Sequence, residues 1–437
     1  MSFNDCADWG GEEDVECDEY ELMLRAHVSR RKVAGDTKDE SCGSGSRERK
    51  RCRHDERAEV QGCSRSLDPK HLTVHLGRAR ALPELLALHQ RHRDDFDGFH
   101  ISAFWSKFKA LVRGGIGGLS ERLAPVCEQT VRMLPELEAR AVANIAHAFA
   151  KARMVGTGPW QLVWAALPGA VRQSLGNFNP QDLSNTAWAF ATAGYEAPAL
   201  FEVISAEAMR RGLGAFSEQH LSNTAWAFAT VGHATPELYD AISAEVVRRG
   251  FGGFNEQQLS NTAWSFAVSN PSSADKLFGT SSFTTQCAQL ETSFSHSALR
   301  QLHQWSLWRD ERRAPWPGLH ESLRLACRVA FTSREVCPSQ LQSDVVQKIG
   351  SHGFNVEEEH RCEASGYSID ALVTLNDDSK IAVEVDGPSH FIGQSHQPTG
   401  ATLLKRRQLR YFGWRLKSLP YWEWNPKTKL HWLRVTP

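Results

Sequence analysis

Three carboxylates late in the sequence have the types and spacing for chemistry: Asp370, Glu384 and Asp386. Residues 380–386 read as a strand, paired as a hairpin with 368–375 around Asn376, Asp377, Asp378 and Ser379. Side chains alternate along a strand, so Ile381, Val383 and Val385 face one side and Ala382, Glu384 and Asp386 the other. Asp370, on the adjacent strand, reaches the same face. Carboxylates this close repel unless a cation or hydrogen-bond donors neutralise them, which makes the cluster a site candidate. Gly387, Pro388 and Ser389 then turn the chain out of the strand, and His390, a base by type, follows them.

A helix over about 399–412 comes next and carries Lys405, Arg406, Arg407 and Arg410. From Lys405 to Arg434 there are nine Lys/Arg against one acid, Glu423, interleaved with Tyr411, Trp414, Tyr421, Trp422 and Trp424. That mixture suits a single-stranded nucleic acid, because cations hold phosphates and rings stack on bases. Trp414 lies in an apolar strand and reads as core. The basic helix reads as the phosphate grip.

The elements upstream are set by a repeat. The run Leu-Ser-Asn-Thr-Ala-Trp ends at Trp188, Trp226 and Trp264, a spacing of 38 residues. A fixed period in that range marks a repeat array. Asn179, Ser217 and Asn255 stand where helix N-caps are wanted, and Leu183, Ala187, Phe190 and Ala191 make one apolar stripe. A second helix follows in each unit, 198–211 closed by Gly212 and 236–249 closed by Gly250. A helix pair this short cannot bury two apolar faces alone, so the pairs are expected to stack as an α-solenoid with a long groove. Asn185, Asn223 and Asn261 do not vary between copies and read as structural. Asp182, His220 and Gln258 do vary on one polar face, and are the expected base readers.

Weaker units are read at 100–111, 140–150, with Asn144 in the place of Asn185, and 299–308. The Ser/Thr-rich stretch 269–292 reads as a loop, and 315–338 as a bridging helix bounded by prolines. Residues 1–68 are acidic, then rich in Gly, Ser, Lys and Arg, a composition expected to be disordered. That acidic start lacks the Arg-rich, acid-poor pattern of an organelle transit peptide. Net charge over the 437 residues is −1, and no run of about 18 apolar residues is present, so no membrane span is expected. Ten cysteines without Cys-x-x-Cys spacing argue against a zinc module and for a reducing compartment.

The 38-residue helical pair with its Leu-Ser-Asn-Thr-Ala-Trp run resembles the octotricopeptide repeat, a family that implies binding to organelle transcripts. The later segment, with Asp370, the run Lys380-Ile-Ala-Val-Glu-Val-Asp386, Gly387, His390, the Lys405 helix, Trp414 and Trp422, resembles the RAP domain, named as an RNA-binding domain abundant in apicomplexans. That resemblance implies a small α/β module similar in fold to PD-(D/E)XK nucleases, acting on mitochondrial or chloroplast RNA.

The expected organisation is therefore mainly α: disorder over 1–68, a helical-repeat solenoid over 69–312 with clear repeats within 179–270, a bridge over 313–338, and a RAP domain over 339–437 with its core at 355–425. The expected function is sequence-selective binding of single-stranded organellar mRNA or rRNA, affecting its stability, processing or translation. A metal-dependent endoribonuclease is the alternative, with Asp370 and Glu384 holding Mg²⁺, aided by Asp386 and His390. In a PD-(D/E)XK site a lysine two residues after Glu384 would be wanted, and Asp386 stands there, with Lys405 as a substitute from the next helix. A protein-binding scaffold is the third reading.

Overall fold

The computed structural model describes residues 69–112, 116–233, 235–333 and 338–425, so the stretch expected to be disordered, 1–68, lies outside the described residues. Two units are distinguished. Residues 69–96 hold α1 (Pro69–Arg78) and α2 (Leu82–His92), in which Leu72, Leu76, Leu85 and Leu86 are buried. The described residues from Asp97 onward form the other unit, mainly helical with a four-stranded sheet late in the chain.

That unit opens with α3 (Gly98–Leu111), α4 (Ser120–Met133), α5 (Ala139–Lys151) and α6 (Trp160–Ser174). The three repeats follow as α7 (Pro180–Thr192), α8 (Pro198–Arg211), α9 (Glu218–Thr230), α10 (Pro236–Arg249) and α11 (Glu256–Ser269). Each tryptophan-bearing helix starts on a capping box. Asn179, Ser217 and Asn255 accept from the backbone N–H of the third helical residue, whose side chain accepts the cap's own N–H in return. Gly212 and Gly250, with φ of 74° and 75°, end the second helices in the left-handed region that other residues avoid.

Arginines bolt neighbouring units together. Arg211 Nη2 donates to the carbonyls of Leu175 at 3.0 Å and Gly176 at 2.9 Å, just before α7. One repeat later Arg249 Nη2 donates to Leu213 at 3.3 Å and Gly214 at 3.1 Å. Glu207 and Glu245, on the preceding turns, pair with these arginines and are thereby held near a pKa of about 2: hydrogen bonds from Arg210 and Arg248 lead, ahead of the opposing burial.

The stretch expected as a loop after α11 instead forms α12 (Ala274–Phe278) and α13 (Ser282–Gln289). Its Ser/Thr content hides an apolar face. Phe278 is 1% exposed and its ring meets those of Phe251, Phe266, Phe283, Trp305 and Trp316. Next comes α14 (His296–Glu311). The helices α3, α5, α7, α9, α11 and α14 pack one against the next in chain order, and α4, α6, α8, α10 and α12 follow one another in a second row.

The bridging stretch is α15 (Glu321–Thr332), and α16 (Gln340–Gly350) leads into the sheet. Strands β1 (Asn355–Arg361), β2 (Ser368–Thr374), β3 (Lys380–Asp386) and β4 (Leu416–Pro420) lie in that order, with α17 (Gly400–Tyr411) crossing between β3 and β4. The first two pairings are antiparallel and β3–β4 is parallel. One face buries Val373, Ile381, Val383 and Val385 against Val345 and Ile349 of α16. The other gathers Ile369 and Ala382 with Leu409 of α17 and Leu307 of α14, so the last helix of the row is part of the sheet domain's core.

A polar network fastens that junction. Gln304 Nε2 donates to the Tyr367 hydroxyl at 2.7 Å, which donates to Gln408 Oε1 at 2.8 Å, and Gln408 Nε2 returns to the Gln304 carbonyl at 2.9 Å. All three side chains are buried and satisfied, the condition under which a buried network rigidifies rather than destabilises. Helix α17 also packs against α9 and α11.

Candidate nucleic-acid interface

The hairpin does bring Asp370 and Glu384 together. The β2–β3 ladder is paired as far as Ala371 opposite Val383, which sets Asp370 beside Glu384. Asp370 Oδ2 accepts the Val385 N–H at 2.7 Å. Between the two carboxylates comes Lys405 of α17, its Nζ 2.5 Å from Glu384 Oε2 and 3.8 Å from Asp370 Oδ1. Asp386 belongs to a separate cluster: Oδ1 meets His390 Nδ1 at 2.9 Å, and Oδ2 accepts from Arg406 at 2.6 Å and Ser418 Oγ at 2.5 Å.

These residues do not fit a metal held by Asp370 and Glu384. The protein's own ammonium fills the space between the carboxylates, and the third acid is turned to other partners. Among the described residues, no group of three or more His, Cys, Asp or Glu is arranged to hold a metal ion. Glu384 Oε1 is a buried oxygen with no hydrogen-bond partner among the described residues, and one such atom is not a coordination site.

Electrostatics follow from that packing. Burial pushes the Glu384 carboxyl up to about 8, with Lys405 opposing and Asp370 and Asp386 adding to the rise. Burial works against the Lys405 ammonium, but Glu384 and Asp370 outweigh it and hold its pKa above the ordinary lysine value. Burial also opposes the charge on Asp386, yet the bonds from His390 and Ser418 and the charge of Arg406 keep its pKa below the usual carboxylate range.

The basic helix is thus largely committed inward. Lys405 lies between Asp370 and Glu384, and Arg406 pairs with Asp386. Arg407 donates to Glu311 Oε1 at 2.8 Å, to the Val268 carbonyl at 2.9 Å and to the Ala267 carbonyl, closing the C-terminal end of α11. Arg410 alone of the four is exposed. The varying repeat positions are committed as well. Asp182 Oδ2, His220 Nδ1 and Gln258 Oε1 accept the backbone N–H of their N-caps at 3.0, 3.2 and 3.1 Å. Asp182 is 4% exposed. Asp, His and Gln are interchangeable as caps because each offers an acceptor at the same reach.

The period also marks a ladder of rings, buried at its two ends and half-open at Trp188 and Trp226. His147 of α5 meets Trp188 of α7 at 5.2 Å between centroids, Trp188 meets Trp226 of α9 at 6.5 Å, and Trp226 meets Trp264 of α11 at 6.4 Å. Trp264 is buried, whereas Trp188 and Trp226 are half-buried beside half-buried Asn185 and Asn223. Basic groups flank the ladder: Lys151 Nζ lies 5.5 Å from the Trp188 ring centre, and Lys109 Nζ is 3.1 Å from His147 Nδ1. Burial, with Lys109 and Lys151 beside it, holds the His147 imidazole well below its ordinary pKa and so leaves the ring neutral at pH 7. Asn261 is buried and accepts from Gln301, its counterpart in the next helix of the row, at 3.2 Å.

Residues 383–434 match the family model of the RAP domain. The chain carries a RAP domain. A relative, a chloroplastic RAP domain-containing protein of Oryza sativa subsp. japonica, is 38% identical over 86 residues, which is 20% of this chain and 13% of that protein. The described part of the RAP domain holds β3, α17 and β4, and hence Glu384, Asp386, His390 and the basic helix; Asp370 comes to it from β2. Trp414 packs against the core and donates from Nε1 to Cys362 Sγ at 3.2 Å.

Glu384 gives the RAP domain a pH signature. From its ordinary pKa of 4.5 to about 8, folded Glu384 keeps a proton that the unfolded chain releases. The native state then binds more protons than the unfolded state, so this group's contribution to stability falls as pH rises through that window. Denaturant unfolding at pH 5, 6.5 and 8 is expected to show wild type losing stability relative to Glu384→Gln. Parallel pH profiles for the two proteins would contradict the assignment.

Proposed function

We propose that this chain is an RNA-binding protein of a chloroplast or mitochondrion that acts on organellar transcripts after transcription. The observation that carries this reading is the ladder of Trp188 and Trp226, half-open and flanked by Lys109 and Lys151, running across successive helices of one row. Rings on successive helices offer stacking surfaces to successive bases, and adjacent cations hold the backbone. The row is read as an octotricopeptide α-solenoid whose groove follows a single strand and selects its site. The RAP domain, of PD-(D/E)XK-like fold, closes one end of that groove, with Arg410 available to phosphate. The organellar setting is supported by the chloroplastic relative, and no described helix is long and apolar enough to cross a membrane.

The test is equilibrium binding of a labelled single-stranded RNA to the full chain at several salt concentrations. Affinity is expected to fall with salt, and Trp188→Ala and Trp226→Ala are each expected to weaken it about tenfold, from a stacking term of about 1–3 kcal/mol per base. Wild-type affinity in both variants would overturn the role of the ladder. Divalent-dependent trimming of the RNA, abolished by Glu384→Ala and by a chelator, would instead mark an endoribonuclease. Absence of RNA binding would leave a protein scaffold.

A further inference from the structure

The RAP domain holds a second group of rings, away from the ladder. They gather at the carboxyl ends of β3 and β4, the parallel pair, where Tyr421 N–H donates to the Asp386 carbonyl at 2.9 Å. In open α/β sheets this edge is where ligands bind, because the backbone turns away from the strands there and leaves a crevice. Trp422 and His396 lie flat on one another, 3.9 Å between centroids and 10° between planes. Phe391, 6% exposed, supports Trp422 from the side at 4.4 Å and 59°. Trp422 is half-buried and His396 is exposed, so the imidazole is the solvent side of the stack.

The loop that carries His396 is fixed at both ends. Phe391 bridges to Pro398, and Ile392 N–H donates to the Gln397 carbonyl at 2.9 Å. A flat ring on a pinned loop is a preorganised stacking surface, and any base has a π-face to match it. His390, one residue before Phe391, adds a polar contact. The buried Asp386 carboxylate accepts from its Nδ1, so in the neutral ring Nδ1 carries the hydrogen and Nε2 is left as the acceptor. His390 is 32% exposed. A ribose 2′-hydroxyl is the donor such an acceptor distinguishes, since DNA lacks it.

We propose that this edge is a nucleotide subsite for single-stranded RNA, in which one base extends the Trp422–His396 stack and its ribose 2′-hydroxyl donates to His390 Nε2. It rests on the RNA-binding reading above but uses residues separate from the ladder. Gly393, in the same loop, approaches the Gly194 carbonyl, its Cβ position 3.1 Å away, so the subsite adjoins the end of α7 and one strand can engage both.

The experiment compares full-length wild type with His396→Ala, Trp422→Ala, His396→Phe and His390→Ala. Each is titrated into the same labelled single-stranded RNA and its DNA counterpart, with thermal melting as the fold control. His396→Ala and Trp422→Ala are expected to weaken RNA binding at least about fivefold, and His396→Phe to restore it, because stacking needs the flat ring and not the imidazole. His390→Ala is expected to reduce the preference for RNA over DNA and leave DNA affinity unchanged. Trp422 is half-buried, so if that variant unfolds the exposed His396 pair decides the matter. Wild-type affinity in His396→Ala, or failure of His396→Phe to restore binding, overturns the stack. An unchanged RNA preference in His390→Ala overturns the ribose contact. Wild type that binds no RNA fails the functional reading itself, a different outcome from variants that match a binding wild type.

Discussion

Replacing Gly400 by alanine is expected to detach the RAP domain from the repeat helices. Gly400 is the first residue of α17. A Cβ there would lie 1.9 Å from the Ala229 carbonyl oxygen and 2.9 Å from Val268 Cγ1. The first is a backbone atom of α9 and has no rotamer through which to yield. The helix must retreat by more than an ångström, and Arg407 and Tyr411 at its far end lose their partners with it. Overpacking of this kind costs about 1–3 kcal/mol and more where the obstacle is rigid. Thermal unfolding of Gly400→Ala is expected to separate into two transitions, with faster proteolysis between α15 and α16. A single wild-type transition would show that α17 does not depend on that contact.

Removing Arg407 is the second large effect. Its guanidinium closes the end of α11 through two carbonyls and balances Glu311, whose side chain is 16% exposed and whose Oε2 is buried with no hydrogen-bond partner among the described residues. Arg407→Ala strands that carboxylate and unsatisfies the helix end together. Breaking a buried pair from one side costs about 3–5 kcal/mol, and the partial exposure of this one places it near the lower figure. Arg407→Lys keeps the charge but not the fork that reaches three acceptors, so it is expected to recover only part of the loss. Both are measured by chemical denaturation. The double variant Arg407→Ala with Glu311→Gln is expected to be more stable than Arg407→Ala alone, since it removes the stranded charge. Equal stability of the single and double variants would contradict this account of the pair.

What the sequence disclosed and what it withheld divide along a physical line. Strand β3 and the faces of Glu384 and Ile381 follow from alternation, which is local. Helix starts at Asn179, Ser217 and Asn255 follow from residue type at a fixed offset, also local. The fate of the basic helix was not local. Arg407 finds Glu311 at a separation of 96 residues, and nothing near Arg407 distinguishes an inward cation from a solvated one. Gly400 likewise gives no sign, in its own neighbourhood, of a carbonyl on α9. Variation at Asp182, His220 and Gln258 concealed a shared use, since each is an acceptor in a capping box. At 269–292 the polar composition concealed Phe278, on which six other aromatic rings converge.

The most direct measurement is ultraviolet crosslinking of the full chain to RNA in cells, with sequencing of the RNA and mapping of the crosslinked peptides. The account predicts organellar transcripts, attached to peptides that carry Trp188, Trp226 and the edge around Trp422. Crosslinks confined to the second row, such as α8 and α10, or no recovered RNA, would contradict it.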